Sequence, residues 1–321
     1  MGKCNRTVIS GSWDNTIKIW DLETRKEKFT FKGHSGWVKA IAVTPDGQTV
    51  ISGSDDTTIK IWDLETGEEK LTFKGHSDWV RAIAVTPDGK TVISGSWDTT
   101  IKIWDLETGE EKFTLKGHSS WVTAIALTPD GKTVISGSWD NTIKIWDLET
   151  GEEKFTFKGH SSWVNAIAVT PDGKTVISGS SDNTIKIWDL ETGEEKLTFK
   201  GHSNSVNAIA VTPDGKTVIS GSDDTTIKIW DLETGEEKFT FKGHSSWVTA
   251  IALTPDGKTV ISGSWDNTIK IWDLANRKEI ATFTGEGRIM RCAVASDGVT
   301  IVAGEAPGRL HFLRLQGKEF S

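Results

Sequence analysis

The chain has 321 residues, and its 37 Lys and Arg against 45 Asp and Glu leave a net charge of −8. That balance offers no basic stripe for sequence-independent nucleic-acid binding, so nucleic acid is not an expected partner. No apolar run approaches the roughly 18–20 residues that span a bilayer, and MGKCNRTVIS at the N-terminus lacks a signal-peptide core, so a soluble, cytoplasmic protein without membrane contact is expected.

In chain order, residues 7–12, 16–22 and 27–32 read as three strands, the first two within ISGSWDNTIKIWDLET. Six longer units follow, of which the one from Gly75 is representative: GHSDWVRAIAVTPDGKTVISGSWDTTIKIWDLETGEEKFTLKGH. VRAIAV alternates large apolar with small or polar residues and ends in a TPDG turn with Pro at its second position. KTVISGS is a β-branched run closed by a Ser-Gly-Ser-Trp-Asp turn. TIKIWDL alternates again, ETGE turns the chain, and EKFTL gives a fourth run. Four short strands per unit separated by turn chemistry form an antiparallel meander, and no segment carries a helical period. The last unit, RIMRCAVASDGVTIVAGEAPGRLHFLRL, supplies three strands over 289–315.

Trp-Asp recurs at Trp20, Trp62, Trp104, Trp146, Trp188, Trp230 and Trp272, always at the same interval, with Gly-His in step at His34, His76, His118, His160, His202 and His244. A fixed period near 40 is the signature of a repeat architecture. With GH, VxAIAVTPDG, SGSxD and IKIWD in this order, the sequence resembles the WD40-repeat β-propeller family over its whole length. The uniformity is that of a recently amplified or consensus-type propeller. The resemblance implies an all-β propeller of four-stranded antiparallel blades, one domain over 1–321. Within it, 1–34 is a partial repeat, 35–285 holds six full repeats and 286–316 is a divergent partial repeat. Thirty predicted strands fall between the 28 of seven blades and the 32 of eight. Seven are expected, with strand 27–32 lent to complete 289–315. The alternative is eight, with incomplete blades at both ends.

A Ser, a His and an Asp in every full unit raise the possibility of a hydrolytic triad, but a catalytic site needs a cleft and an oxyanion hole, and six identical ones are not expected. The resemblance implies a buried structural tetrad: His34/Ser52/Asp56/Trp62, His76/Ser94/Asp98/Trp104, His118/Ser136/Asp140/Trp146, His160/Ser178/Asp182/Trp188, His202/Ser220/Asp224/Trp230 and His244/Ser262/Asp266/Trp272. No enzyme activity, metal or cofactor is expected. The Lys18 and Lys60 series in IKIW is read as stems packed between blades with heads at the solvent edge. Cys4 and Cys292, far apart, are read as free thiols.

Of 16 tryptophans, nine lie outside the Trp-Asp series. Trp37, Trp79, Trp121, Trp163 and Trp247 precede first strands, and Trp13, Trp97, Trp139 and Trp265 sit in the turn after second strands. The resemblance places both loops on one face, where they wedge the blades or form an aromatic binding rim. Variation at the turn (Asp55, Asp223) and after the first-strand Val (Lys39, Arg81) falls on the same loops. The expected function is a non-catalytic scaffold, a monomer or a module of a larger signalling protein, whose Trp-rich face binds a protein or peptide. The alternative is a designed or recently amplified propeller without a specific ligand, and a hydrolase is a remote third.

Overall fold

A computed structural model describes residues 7–21, 23–24, 26–295, 297–306 and 308–315. Thirty β-strands are formed among the described residues, and no helix there is long and apolar enough to cross a membrane. Each strand pairs with its neighbours in sequence, giving eight sheets among the described residues. Three-stranded sheets lie over 7–32 and 289–314, and four-stranded ones over 38–73, 80–115, 122–158, 164–200, 206–241 and 248–284.

Eight blades replace the expected seven. The strand Glu27–Lys32 is not lent elsewhere: it pairs antiparallel with Thr16–Asp21, Ile17 opposite Phe31. The physical reason is local. The same pairing sets Ile17, Ile19 and Phe31 into a buried cluster with Val38, Val50 and Trp62 of the next sheet, a core the strand would forfeit by leaving. Thr7–Gly11, left over in the seven-blade scheme, is the first strand of this sheet. Residues 289–314 keep three strands.

The chain divides into two compact units, 1–167 and 168–321, and full repeats in each are built by the same rule, while 289–314 offers Ile289, Ile301 and Ala303 instead. One sheet gives the isoleucines of its second and third strands and an aromatic or leucine of its fourth, and the next sheet gives its first-strand Val, its second-strand Val and its Trp. In the first unit this is Ile51, Ile59, Ile61 and Phe73 against Val80, Val92 and Trp104. In the second it is Ile219, Ile227, Ile229 and Phe241 against Val248, Val260 and Trp272. The SGS glycine makes this approach possible, since a Cβ on Gly95 would lie 2.7 Å from Val122 Cγ1 and 2.9 Å from Ile125 Cδ1.

Two register shifts recur and aim the side chains that matter below. Between first and second strands, Val80 pairs with Ser96 but Ala82 with Gly95, so Arg81 is the extra residue of a bulge. The same shift occurs around Lys39, Thr123, Asn207 and Thr249. Between third and fourth strands Ile103 pairs with Phe113 but Trp104 with Glu111, so Lys112 is the extra residue of a second bulge.

Candidate functional site

The tetrad forms as a directed chain. Trp104 donates its indole N–H to Ser94 Oγ at 2.9 Å, Ser94 Oγ lies 2.7 Å from His76 Nε2, and His76 Nδ1 lies 2.7 Å from Asp98. The Ser94 hydroxyl, which accepts the indole N–H, also lies 3.4 Å from the Lys102 carbonyl. The same three contacts, each of 2.7–2.9 Å, join His34 with Ser52, Asp56 and Trp62 and His118 with Ser136, Asp140 and Trp146. They also join His202 with Ser220, Asp224 and Trp230 and His244 with Ser262, Asp266 and Trp272, over the same range of 2.7–2.9 Å. In the remaining full repeat His160 is buried and Trp188 donates to Ser178 at 2.9 Å. Asp182 there accepts from the Thr184 N–H at 2.9 Å and from its hydroxyl at 2.6 Å.

Burial acts to raise the Asp98 pKa, but the His76 ring, the Thr100 hydroxyl and the Ser77 N–H outweigh it and hold the carboxyl well below the usual range. Asp56, Asp140 and Asp224 are held down in the same way, and Asp266 is lowered too. Burial lowers the pKa of His244.

This geometry is unsuited to nucleophilic attack. Ser94 is fully buried and its oxygen is engaged by both the indole and the imidazole. Ser52, Ser136, Ser178, Ser220 and Ser262 are equally buried, and each accepts an indole N–H. The IKIW lysines are anchored at their heads: Lys18 and Lys60 are half-buried and bond Glu27 and Glu69, while Lys102, Lys144 and Lys186 are buried. Lys102 is buried, its ammonium donating to Glu111 and Thr114 at 2.7 Å while lying 5.9 Å above the Trp104 ring. A Glu and a Thr on every fourth strand make that a recurrent anchor, a pairing the strand-by-strand reading did not seek.

The end repeats differ. Trp20 donates to Ser10 at a longer 3.3 Å, and Asp14 accepts from Thr16. In 289–314 a different pair fills the gap. The Glu305 carboxylate accepts from the Glu286 N–H at 2.8 Å and lies 2.6 Å from His311 Nε2. Cys4 lies outside the described residues, while Cys292 is a free thiol that burial pushes up to about 12.

In front of the tetrads lie the loops. The Trp97 N–H bonds the Trp79 carbonyl at 3.0 Å, and Asp55 to Trp37, Trp139 to Trp121, Asp223 to Ser205 and Trp265 to Trp247 repeat the bond at 2.9 or 3.0 Å. One loop of each repeat is thus clipped to the other. In the first unit five indoles form an unbroken column. Trp79 meets Trp97 at 4.4 Å, Trp97 meets Trp121 at 3.7 Å, Trp121 meets Trp139 at 4.6 Å, and Trp139 meets Trp163 at 3.9 Å. Trp13 and Trp37 stack separately at 5.0 Å, and the second unit holds one pair, Trp247 and Trp265, at 4.3 Å.

Cations rest on these rings from the bulge positions and beside them. Lys39 lies 4.7 and 4.4 Å from Trp13 and Trp37, Arg81 4.8 Å from Trp97, and Arg288 4.3 Å from Trp265. Arg81 also lies 3.8 Å from Asp55. Burial raises the pKa of Asp55 against the pull of Lys39 and Arg81. Burial raises Asp223 as well, although Asn207 donates to it at 2.5 Å. Trp13, Trp37, Trp163 and Trp247 remain 41–46 % exposed, whereas Trp79, Trp97, Trp121, Trp139 and Trp265 are half-buried. The indole nitrogens of Trp97 and Trp265 are buried without an acceptor among the described residues.

The sequence reading located these tryptophans but not their stacking across repeats, nor Arg288. A signal was present: Trp13/Trp37, Trp97/Trp121 and Trp139/Trp163 all share one sequence separation. Among the described residues no cluster of three His, Cys, Asp or Glu side chains could hold a metal.

Comparison with known proteins places this architecture. Residues 140–315 match the family described as the WDR3 first beta-propeller domain, and residues 2–21, 25–63, 67–105 and 109–147 match the WD domain, G-beta repeat. Small ribosomal subunit protein RACK1y of Oryza sativa subsp. japonica is 49 % identical over 41 residues, 13 % of this chain and 12 % of that protein. Ribosome assembly protein 4 of Chaetomium thermophilum is 49 % identical over 41 residues, 13 % of this chain and 8 % of that protein. The matched stretch therefore spans about a tenth of these relatives' own length. The crystal structure of the computationally designed Ika8 protein superimposes with a TM-score of 0.88 at 33 % identity, over 98 % of this chain and 95 % of that one.

Proposed function

We infer, from the premise that this chain belongs to the WD40-repeat β-propeller family, that it is a non-catalytic platform whose tryptophan-rich loops bind a protein or peptide. The observation that carries the reading is the indole column Trp79–Trp97–Trp121–Trp139–Trp163 with its attendant cation. Stacking occupies the ring faces, so a partner meets the ring edges and the outer face of Trp163, which is 46 % exposed. Large indoles with polar handles are suited to peptide recognition. In this reading the protein is a cytoplasmic monomer or a module of a larger signalling protein.

A second reading has its own support. The six full repeats are nearly uniform, and the designed Ika8 protein is alike over almost the whole chain; both fit a designed or recently amplified propeller without a specific ligand. Panning a random peptide library on the pure protein separates the two. The platform reading expects enriched peptides whose affinity falls roughly tenfold in Trp97→Ala/Trp139→Ala. No enrichment, or peptides that ignore the substitutions, favours the second.

A further inference from the structure

A turn far from the indoles breaks the repeat. Between third and fourth strands, the ETGE glycine adopts a left-handed conformation at Gly67, Gly109, Gly151, Gly193 and Gly235, with φ of 73–80°. Where its surroundings are seen, this glycine leaves room for a side chain of the preceding sheet. A Cβ on Gly67 would lie 3.1 Å from the Phe29 ring, one on Gly151 2.9 Å from Phe113, and one on Gly235 3.2 Å from Phe199.

The seventh copy reads ANRKE and puts Arg277 in that conformation, at φ 53°. A side chain now stands where the glycine left space, and the ring it faces is turned. Phe239 meets Phe241 edge-on at 79°, whereas Phe29/Phe31 and Phe155/Phe157 lie at 29° and 28°. Beside this exchange lies an open cleft of about 460 Å³, lined by Phe239, Phe241, Ile229, Leu274, Pro213 and Arg277 among others. Its size is that of small-molecule sites.

The charges at its edge are unequal in freedom. Lys238 is held by Asp231 at 2.8 Å. Asp214 accepts from Thr212 at 2.6 Å and from the Lys216 N–H at 3.0 Å, and Asp256 accepts from Thr254 and the Lys258 N–H in the equivalent turn. Lys258 and Arg277 line the cleft without a carboxylate at ion-pair distance among the described residues, and the Arg277 guanidinium lies over the apolar floor, 5.7 Å from Phe239. A planar, permanently charged fork beside an apolar floor suits one kind of ligand, a flat apolar body ending in a carboxylate.

We propose that this cleft binds a small aromatic carboxylate, its ring against Phe241 and Leu274 and its carboxylate on Arg277. The site is independent of the tryptophan loops. The test is calorimetric titration of the full chain with 2-naphthoate, using the neutral 2-naphthalenemethanol as control, and the expected dissociation constant for the acid is on the order of 1 mM. Binding should weaken roughly tenfold with the alcohol, with Arg277→Gln and with Arg277→Gly, and should be unchanged in Trp97→Ala/Trp139→Ala. Arg277→Gly, which restores the turn of the other repeats, should also raise the unfolding midpoint, so loss of the ligand is separated from loss of the fold. Equal binding of acid and alcohol, undiminished binding by either Arg277 variant, or no saturable binding by the wild type overturns the proposal.

Discussion

Within residues 1–167, Trp97 meets Trp121 at 3.7 Å and Trp139 meets Trp163 at 3.9 Å; within residues 168–321, the corresponding turn and loop positions are Ser181 with Ser205 and Asp223 with Trp247. Behind these unlike edges the frame is the same. His76 and His202 both sit 2.7 Å from their serine and 2.7 Å from their aspartate, and Lys102 and Lys228 both bond a fourth-strand Glu at 2.7 Å. The contrast separates two kinds of residue in one repeat. Those of the tetrad and lysine anchor answer to burial and are the same in every full repeat, since each buried polar group needs its partner. Those at the turn and the bulge are only partly buried and differ between repeats.

If that division holds, His76→Ala in the first unit and His202→Ala in the second should destabilise alike. Each leaves a buried serine and a buried carboxylate short of a partner, at about 1–3 kcal/mol, read from urea midpoints. A large difference between the two would mean the frames are not equivalent. Acid should act next and act on both units together. The folded-state carboxyls of Asp98, Asp140 and Asp224 are held low, burial being outweighed by their histidine and threonine partners. The stabilisation they bring is complete above the unfolded-state value of about 3.9 and is lost as the pH falls from there through the folded-state values. Separate acid transitions for the two units, followed by tryptophan fluorescence, would break the comparison.

A smaller effect lies in the turn. Its left-handed position is Asn15, Asn141, Asn183 and Asn267 in four repeats but Thr57, Thr99 and Thr225 in three, all at φ 68–71°. Left-handed geometry strains a β-branched residue and is tolerated by Asn. Thr99→Asn and Thr225→Asn should therefore each stabilise by about 0.5–1 kcal/mol, a part of the roughly 1–2 kcal/mol that this conformation costs an L-residue, and Asn141→Thr should do the reverse. Thermal midpoints of the three variants give the comparison.

The tetrads were legible through the family resemblance that the repeated motifs carry, and the loop tryptophans because they recur at two positions of the same period. Blade number was not, since pairing of 27–32 with its own sheet or with 289–314 satisfies the same alternation of apolar residues. The core contacts of Ile17, Ile19 and Phe31 decide it. Nor was the fate of the lysine heads legible, because the Glu that binds Lys102 lies on the next strand and meets it only through strand register. The cleft beside Arg277 was hidden for a similar reason. In the sequence ANRKE differs from ETGEE without showing that the glycine it replaces lies against a neighbouring ring.

The separation of frame from edge is tested most directly by moving the edge. Ser181 and Ser205 stand at the same sequence separation as Trp97 and Trp121, which stack. The double variant Ser181→Trp/Ser205→Trp, compared with each single variant by circular dichroism in the tryptophan bands, should show an exciton couplet absent from the sum of the singles, with unchanged β-sheet content. Additive spectra from a folded double variant, or a variant that cannot fold, would contradict a frame that accepts either edge.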